Sequence, residues 1–129
     1  MENMNILIVD DDSSVRRILA RTFERDGFKV SVAPNGEKAL SMMLEARYQI
    51  LICDISMPKM NGRQLCRHLA AEGPYLPESI FIVTSCSGSE ETGWISEIPG
   101  VQMVEKPIGP RRLLQHVRKH LTMGIVADD

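Results

Sequence analysis

The 129-residue chain predicts a single α/β domain, a doubly wound five-stranded parallel sheet with helices on both faces. Three observations carry that prediction. Short apolar runs rich in β-branched residues recur along the chain, as strands buried on both faces require. Segments with apolar residues at helical spacing separate them, so each connection is a right-handed crossover between parallel strands. Charged residues stand where runs stop: Asp10 and Asp11 after Ile6, Leu7, Ile8 and Val9, Asp54 after Ile50, Leu51, Ile52 and Cys53, and Lys106 after the last run. The carboxyl ends of strands are where open α/β sheets bind ligands.

The first strand covers about 5–10. Ser13 or Ser14 can cap a helix whose Val15, Ile18, Leu19 and Phe23 share one face, and Asp26-Gly27 ends it. Residues 28–32 alternate apolar and polar, as an edge strand with one solvated face should. Asn35-Gly36 marks a turn into a helix carrying Ala39, Leu40, Met43 and Leu44 on one side. Residues 49–54 form the central strand, the loop Met57 to Gly62 follows, and the next helix presents Leu65, Cys66 and Leu69. Pro74 and Pro77 bracket the connection into a strand over 80–84. A helix over about 89–97 comes next, with Ser87 or Ser89 as cap and Glu90-Glu91 in its first turn, although Gly93 interrupts it and Pro99 stops it. A short strand over 101–104 leads to Pro110 in the first turn of a final helix using Leu113, Leu114, Val117 and Leu121. Residues 122–129 lack periodicity and read as a frayed, flexible tail, which leaves a core of about 5–121.

Composition excludes several classes of function. An apolar fraction of 43% and a charged fraction of 25% are ordinary for a globular chain, and a net charge of −2 points to neither nucleic acid nor a membrane surface. No basic segment followed by a long apolar one opens the chain, and no apolar stretch approaches a membrane span. Cys53, Cys66 and Cys86 are spaced neither as a disulfide framework nor as a zinc site, and read as reduced thiols of a cytoplasmic protein. Three carboxylates gathered at one sheet edge, in contrast, repel one another and resist ionising together. A hard cation with oxygen ligands removes that conflict, and Mg²⁺ is the usual choice where a phosphate also binds.

Asp10-Asp11, Asp54, the loop Met57-Pro58-x-Met60-x-Gly62, Thr84 and Lys106-Pro107, in this order and each at a strand end, resemble the receiver domain of two-component response regulators over about residues 5–121. The resemblance implies a flavodoxin-like sheet of order 2-1-3-4-5. It implies that Asp54 is a phosphoacceptor attacking the phosphohistidine of a sensor histidine kinase or phosphotransfer protein. A carboxylate is a competent nucleophile for that chemistry. Asp10, Asp11, Asp54 and the Ser56 backbone carbonyl would hold Mg²⁺, while Lys106 and Thr84 would clamp the phosphoryl group. A cis Lys106-Pro107 bond would aim the lysine inward. The chain would be a signalling switch, not an enzyme, acting on a downstream protein or output domain. A homodimer through the last helix-strand-helix face is a further partner the resemblance admits.

Two other functions fit parts of the pattern. Asp10-x-Asp12 also resembles the nucleophile motif of haloacid-dehalogenase-type phosphatases, but those need a longer chain with a cap, and Ser14 fills a slot normally held by Thr or Val. A degenerate receiver acting only as an interaction module is the third reading. Met103 stands where receivers often carry Tyr or Phe, which replaces a switching ring by a flexible thioether. Asn61 stands where Asp is frequent. His68, His116 and His120 read as surface helix residues, and Arg111, Arg112, Arg118 and Lys119 as a solvated helix face. Trp94 reads equally well as an anchor for its helix or as an exposed partner contact. The same resemblance implies that Ser56 and Cys86 flank the site at positions that influence how fast water removes the phosphoryl group. Ser56→Asn and Cys86→Glu are therefore expected to change the lifetime of the phosphorylated chain; unaltered decay after phosphorylation excludes this.

Overall fold

The computed structural model describes residues 4–57, 59–85 and 93–128, with side chains through Leu121. Five strands, β1 (Asn5–Val9), β2 (Lys29–Ala33), β3 (Ile50–Asp54), β4 (Ser79–Thr84) and β5 (Val101–Glu105), form one parallel sheet in the order β2-β1-β3-β4-β5. Among the described residues four α-helices connect and flank them: α1 (Ser13–Arg25), α2 (Gly36–Glu45), α3 (Gly62–Glu72) and α4 (Pro110–Asp128). The fold is the doubly wound one the sequence predicts.

Alternation along each strand divides the core into two layers. Leu7, Val9, Leu51, Cys53, Ile80 and Ile82 face Ala39 and Met43 of α2 and Leu65, Cys66 and Leu69 of α3. Ile6, Ile8, Ile50, Ile52, Phe81 and Val83 face Leu19 and Phe23 of α1 and Leu113 and Val117 of α4. Both faces are covered, so β3 and β4 are buried at every residue.

The structure corrects several local expectations. Asp12, not Ser13 or Ser14, caps α1: its carboxylate accepts from Ser14 N–H at 2.8 Å and Val15 N–H at 3.3 Å, and a carboxylate suits a helix N-terminus. Asn61 caps α3 within a capping box, exchanging bonds with Gln64. Ile18 and Leu44 turn to solvent, because the buried stripes of α1 and α2 are narrower than their apolar spacing suggests. Of the helix expected over 89–97, only 93–97 falls among the described residues, and Gly93–Glu97 is a 3-10 turn. Pro99 just beyond prevents a longer helix. The proposed caps Ser87 and Ser89, with Glu90 and Glu91, lie outside the described residues. Trp94 is buried with Ile95 and Ile98, so it anchors this turn to the core. The backbone of α4 continues to Asp128, through most of the stretch read as a frayed tail.

His116 and His120 are half-buried rather than surface residues. Nε2 of His116 donates to the Gln102 side-chain oxygen at 2.8 Å, and the Gln102 amide nitrogen donates to His120 Nδ1 at 2.7 Å. Both imidazoles meet the Phe81 ring edge-on at 5.7 and 5.4 Å, which ties α4 to β4 and β5. Phe81→Ala is expected to cost about 3–5 kcal/mol by urea denaturation, whereas Leu44→Ala on the exposed face of α2 should change stability by less than about 0.5 kcal/mol.

Candidate metal centre at the strand ends

Strand register builds the site. β1 and β3 pair with Val9 opposite Cys53, so the next residue of each, Asp10 and Asp54, emerge side by side. They continue the alternation of Ile8 and Ile52 and therefore lean toward the α1 and α4 side of the sheet. Asp11 follows on the exposed turn into α1. One carboxylate oxygen from each of Asp10, Asp11 and Asp54 lies within 4.8 Å of the others, with Asp10 and Asp54 buried. Lys106 at the end of β5 reaches across β4, and its Nζ lies 3.2 Å from Asp54 Oδ2. The Lys106-Pro107 bond is cis.

Backbone donors orient two of the carboxylates. Ser56 N–H donates to Asp54 Oδ1 at 3.3 Å, and Asp12 N–H donates to Asp10 Oδ1 at 2.9 Å. The Arg16 guanidinium donates to the Asp10 carbonyl at 2.8 Å, which fastens α1 to the end of β1. Asp12 could have been found from its N-cap position. Arg16 had no such signal, because its contact depends on how α1 returns to the strand. Thr84 is fully buried at the end of β4, and its carbonyl accepts from Lys106 N–H at 2.7 Å. Cys86 lies outside the described residues.

Gly62 sits against the end of β3. Its N–H donates to the Ile55 carbonyl at 3.1 Å, and a Cβ there would lie 2.9 Å from the Asp54 carbonyl oxygen. Beside the carboxylates a cavity of about 560 Å³ opens between α1 and the segment after β5, with Val15, Ile18, Ile108 and Leu113 in its wall.

The electrostatics fit a divalent cation. Burial raises the Asp10 carboxyl above its ordinary range, with the Asp54 and Asp11 charges adding to the rise, while the Asp12 N–H and Lys106 oppose it. Lys106 neutralises one of the three carboxylates, and the remaining two match the charge of a hard dication with oxygen ligands. Cys53 and Cys66 are fully or nearly buried free thiols, and burial pushes Cys53 well up and Cys66 up to about 12. Cys53 Sγ donates to the Asp54 carbonyl at 3.3 Å. Among the described residues, no helix is long and apolar enough to cross a membrane.

Residues 6–118 match the family model of the response regulator receiver domain. The chain belongs to that family. The receiver is 32% identical over 126 residues to the response regulator MprA of Mycobacterium avium, covering 98% of this chain and 54% of that protein. With the Mycobacterium leprae MprA it shares 33% over 115 residues, which is 89% of the receiver and 50% of its relative. The receiver therefore spans about half the length of these relatives. Its fold superimposes on chemotaxis protein CheY4 of Vibrio cholerae with a TM-score of 0.82 at 26% identity, covering 91% and 98% of the two chains. A receiver domain of a Syntrophus aciditrophicus histidine kinase gives 0.79 at 27% identity, covering 92% and 90%. The receiver is thus a signalling domain of two-component systems and not a true enzyme. Its aspartate cluster is of the kind receivers use for Mg²⁺.

The Asp10 shift fixes a pH dependence. Because the folded pKa is raised, the stabilising contribution is present below the unfolded carboxylate pKa and is lost as pH rises through the folded value. Without divalent cations, Asp10→Asn is expected to raise the melting temperature at pH 7. The gain should shrink as pH falls through the raised native pKa toward the ordinary carboxylate range, where folded and unfolded states both bind the proton.

Proposed function

We propose that the receiver is a phosphoacceptor switch that takes a phosphoryl group from a phosphohistidine onto Asp54. One observation carries this reading: the buried Asp54 carboxylate lies within ion-pair reach of Lys106 and beside two further carboxylates. Asp10, Asp11, Asp54 and the Ser56 carbonyl would hold Mg²⁺, which when bound supplies charge neutralisation for the phosphoryl oxygens. An Asp54 oxygen forms a bond to phosphorus as the phosphorus–nitrogen bond of the phosphoimidazole breaks. The electron pair leaves with the imidazole nitrogen, which regains a proton, and the product is an aspartyl phosphate. Ser56 N–H holds Oδ1 of the nucleophile in place. Lys106, already on Oδ2, is within reach of the new phosphoryl oxygens, and the Thr84 hydroxyl completes the clamp. Phosphorylation then shifts an equilibrium between surfaces presented to partners.

The donor in this reading is a sensor histidine kinase or phosphotransfer protein in the cytoplasm. The output is a downstream protein, or a further domain, since the relatives are about twice as long. Residues 5–121 are the working unit, and a homodimer through the 3-10 turn, β5 and α4 face is compatible with it. Direct contact with nucleic acid or membrane is no part of this function.

Acetyl phosphate with Mg²⁺ should form an acid-stable, hydroxylamine-labile adduct on Asp54. Asp54→Ala should abolish it, and Lys106→Ala should slow its formation by about 10²-fold. Mapping the adduct to Asp10 would favour the phosphatase reading, and failure of the unsubstituted chain to bind Mg²⁺ or to react would favour the interaction module.

A further inference from the structure

The loop between β3 and α3 is closed at its base, where Gly62 N–H meets the Ile55 carbonyl. Its tip is fastened to a different element. Gly36, the first residue of α2, donates its N–H to the Met60 carbonyl at 3.1 Å. The first amides of a helix have no partner within it. Asn35 satisfies the one at Lys38, and the loop satisfies the one at Gly36. The approach is close enough to exclude any side chain. A Cβ on Gly36 would lie 2.6 Å from the Met60 carbonyl oxygen, 2.8 Å from Met60 Cβ and 2.9 Å from Met60 Cγ. Next to Met60, Lys59 has φ +68°, a left-handed conformation that a residue with a side chain holds only when its surroundings impose it.

We propose that Gly36 is a positioning residue for the metal centre. By admitting the Met60 carbonyl against the start of α2, it holds residues 59–62 in place and, through the bond from Gly62 N–H to the Ile55 carbonyl, the Ser56 backbone next to it. Ser56 N–H is bonded to Asp54 Oδ1, so a displaced loop carries both the acceptor's orientation and the carbonyl assigned to the cation. The nearest atom a new Cβ meets is backbone, and backbone cannot rotate out of the way as a side-chain terminus can. The proposal rests on the functional reading above, in which Ser56 and Asp54 share a Mg²⁺.

Mg²⁺ titration of the full chain, followed through the backbone amide resonances of 55–57 and 59–62, tests it. Gly36→Ala is expected to shift the Ser56 and Met60 resonances before any metal is added and to weaken Mg²⁺ binding by at least about tenfold, as changes behind a metal site commonly do. Phosphorylation by acetyl phosphate should slow at limiting Mg²⁺ and recover at saturating Mg²⁺. A merely structural defect would not be rescued by the metal in this way. Unchanged Mg²⁺ affinity in a folded Gly36→Ala variant overturns the assignment. If the unsubstituted chain itself binds no Mg²⁺, the functional reading fails and the assignment falls with it. Should Gly36→Ala not fold, replacing the Gly36 amide by an ester takes its place, since it removes the N–H that holds the Met60 carbonyl without adding a side chain. Weakened Mg²⁺ binding supports the proposal there too, and unaltered binding rejects it.

Discussion

A parallel sheet covered on both faces leaves its polar chemistry almost nowhere to go except the strand ends. Every residue of β3 and β4 is buried, and the helices on either side take up both sets of alternating side chains. Unpaired charges inside such a layer would be prohibitively desolvated. At the carboxyl edge the same register that stacks Ile8 beside Ile52 sets Asp10 beside Asp54. The site is thus a direct continuation of the core, and its geometry is as fixed as the hydrogen-bonded ladder beneath it.

The order of elements was legible because it depends on local pattern alone. Continuous apolar runs such as Ile6 to Val9 announce doubly buried strands, and the carboxylates that terminate them are visible in one dimension. Which face each strand residue takes was not legible, since a run apolar throughout carries no alternation to read. The divided core, with Leu51 on one side and Ile52 on the other, appears only in three dimensions. The same limit explains His116 and His120. Their spacing on a terminal helix suggests solvent, and only the packing of α4 brings Gln102 and Phe81 against them.

For the site itself, the carboxylates and the lysine could be named from sequence because ionic chemistry restricts the choice of residue. Their supports could not. Arg16 reaches back to the Asp10 carbonyl and Gly36 meets the Met60 carbonyl of another segment, and both contacts depend on where helices land. The turn Gly93–Glu97 shows the complementary limit: within the described part of the expected helix, Gly93 and Pro99 accompany a 3-10 turn carrying Trp94 inward.

Cys53 adjoins Asp54 in the chain, and sulfur is intrinsically a better nucleophile toward many electrophiles than a carboxylate oxygen. Only the thiolate would compete, and burial suppresses it while the S–H hydrogen stays committed to the Asp54 carbonyl. Alternation also sends the sulfur into the α2 and α3 layer, on the opposite side of the sheet from the Asp10 and Asp54 carboxylates. The pleat of one strand thus separates two neighbouring reactive groups into different solvents, and any chemistry at this edge meets the carboxylate oxygen and not the sulfur.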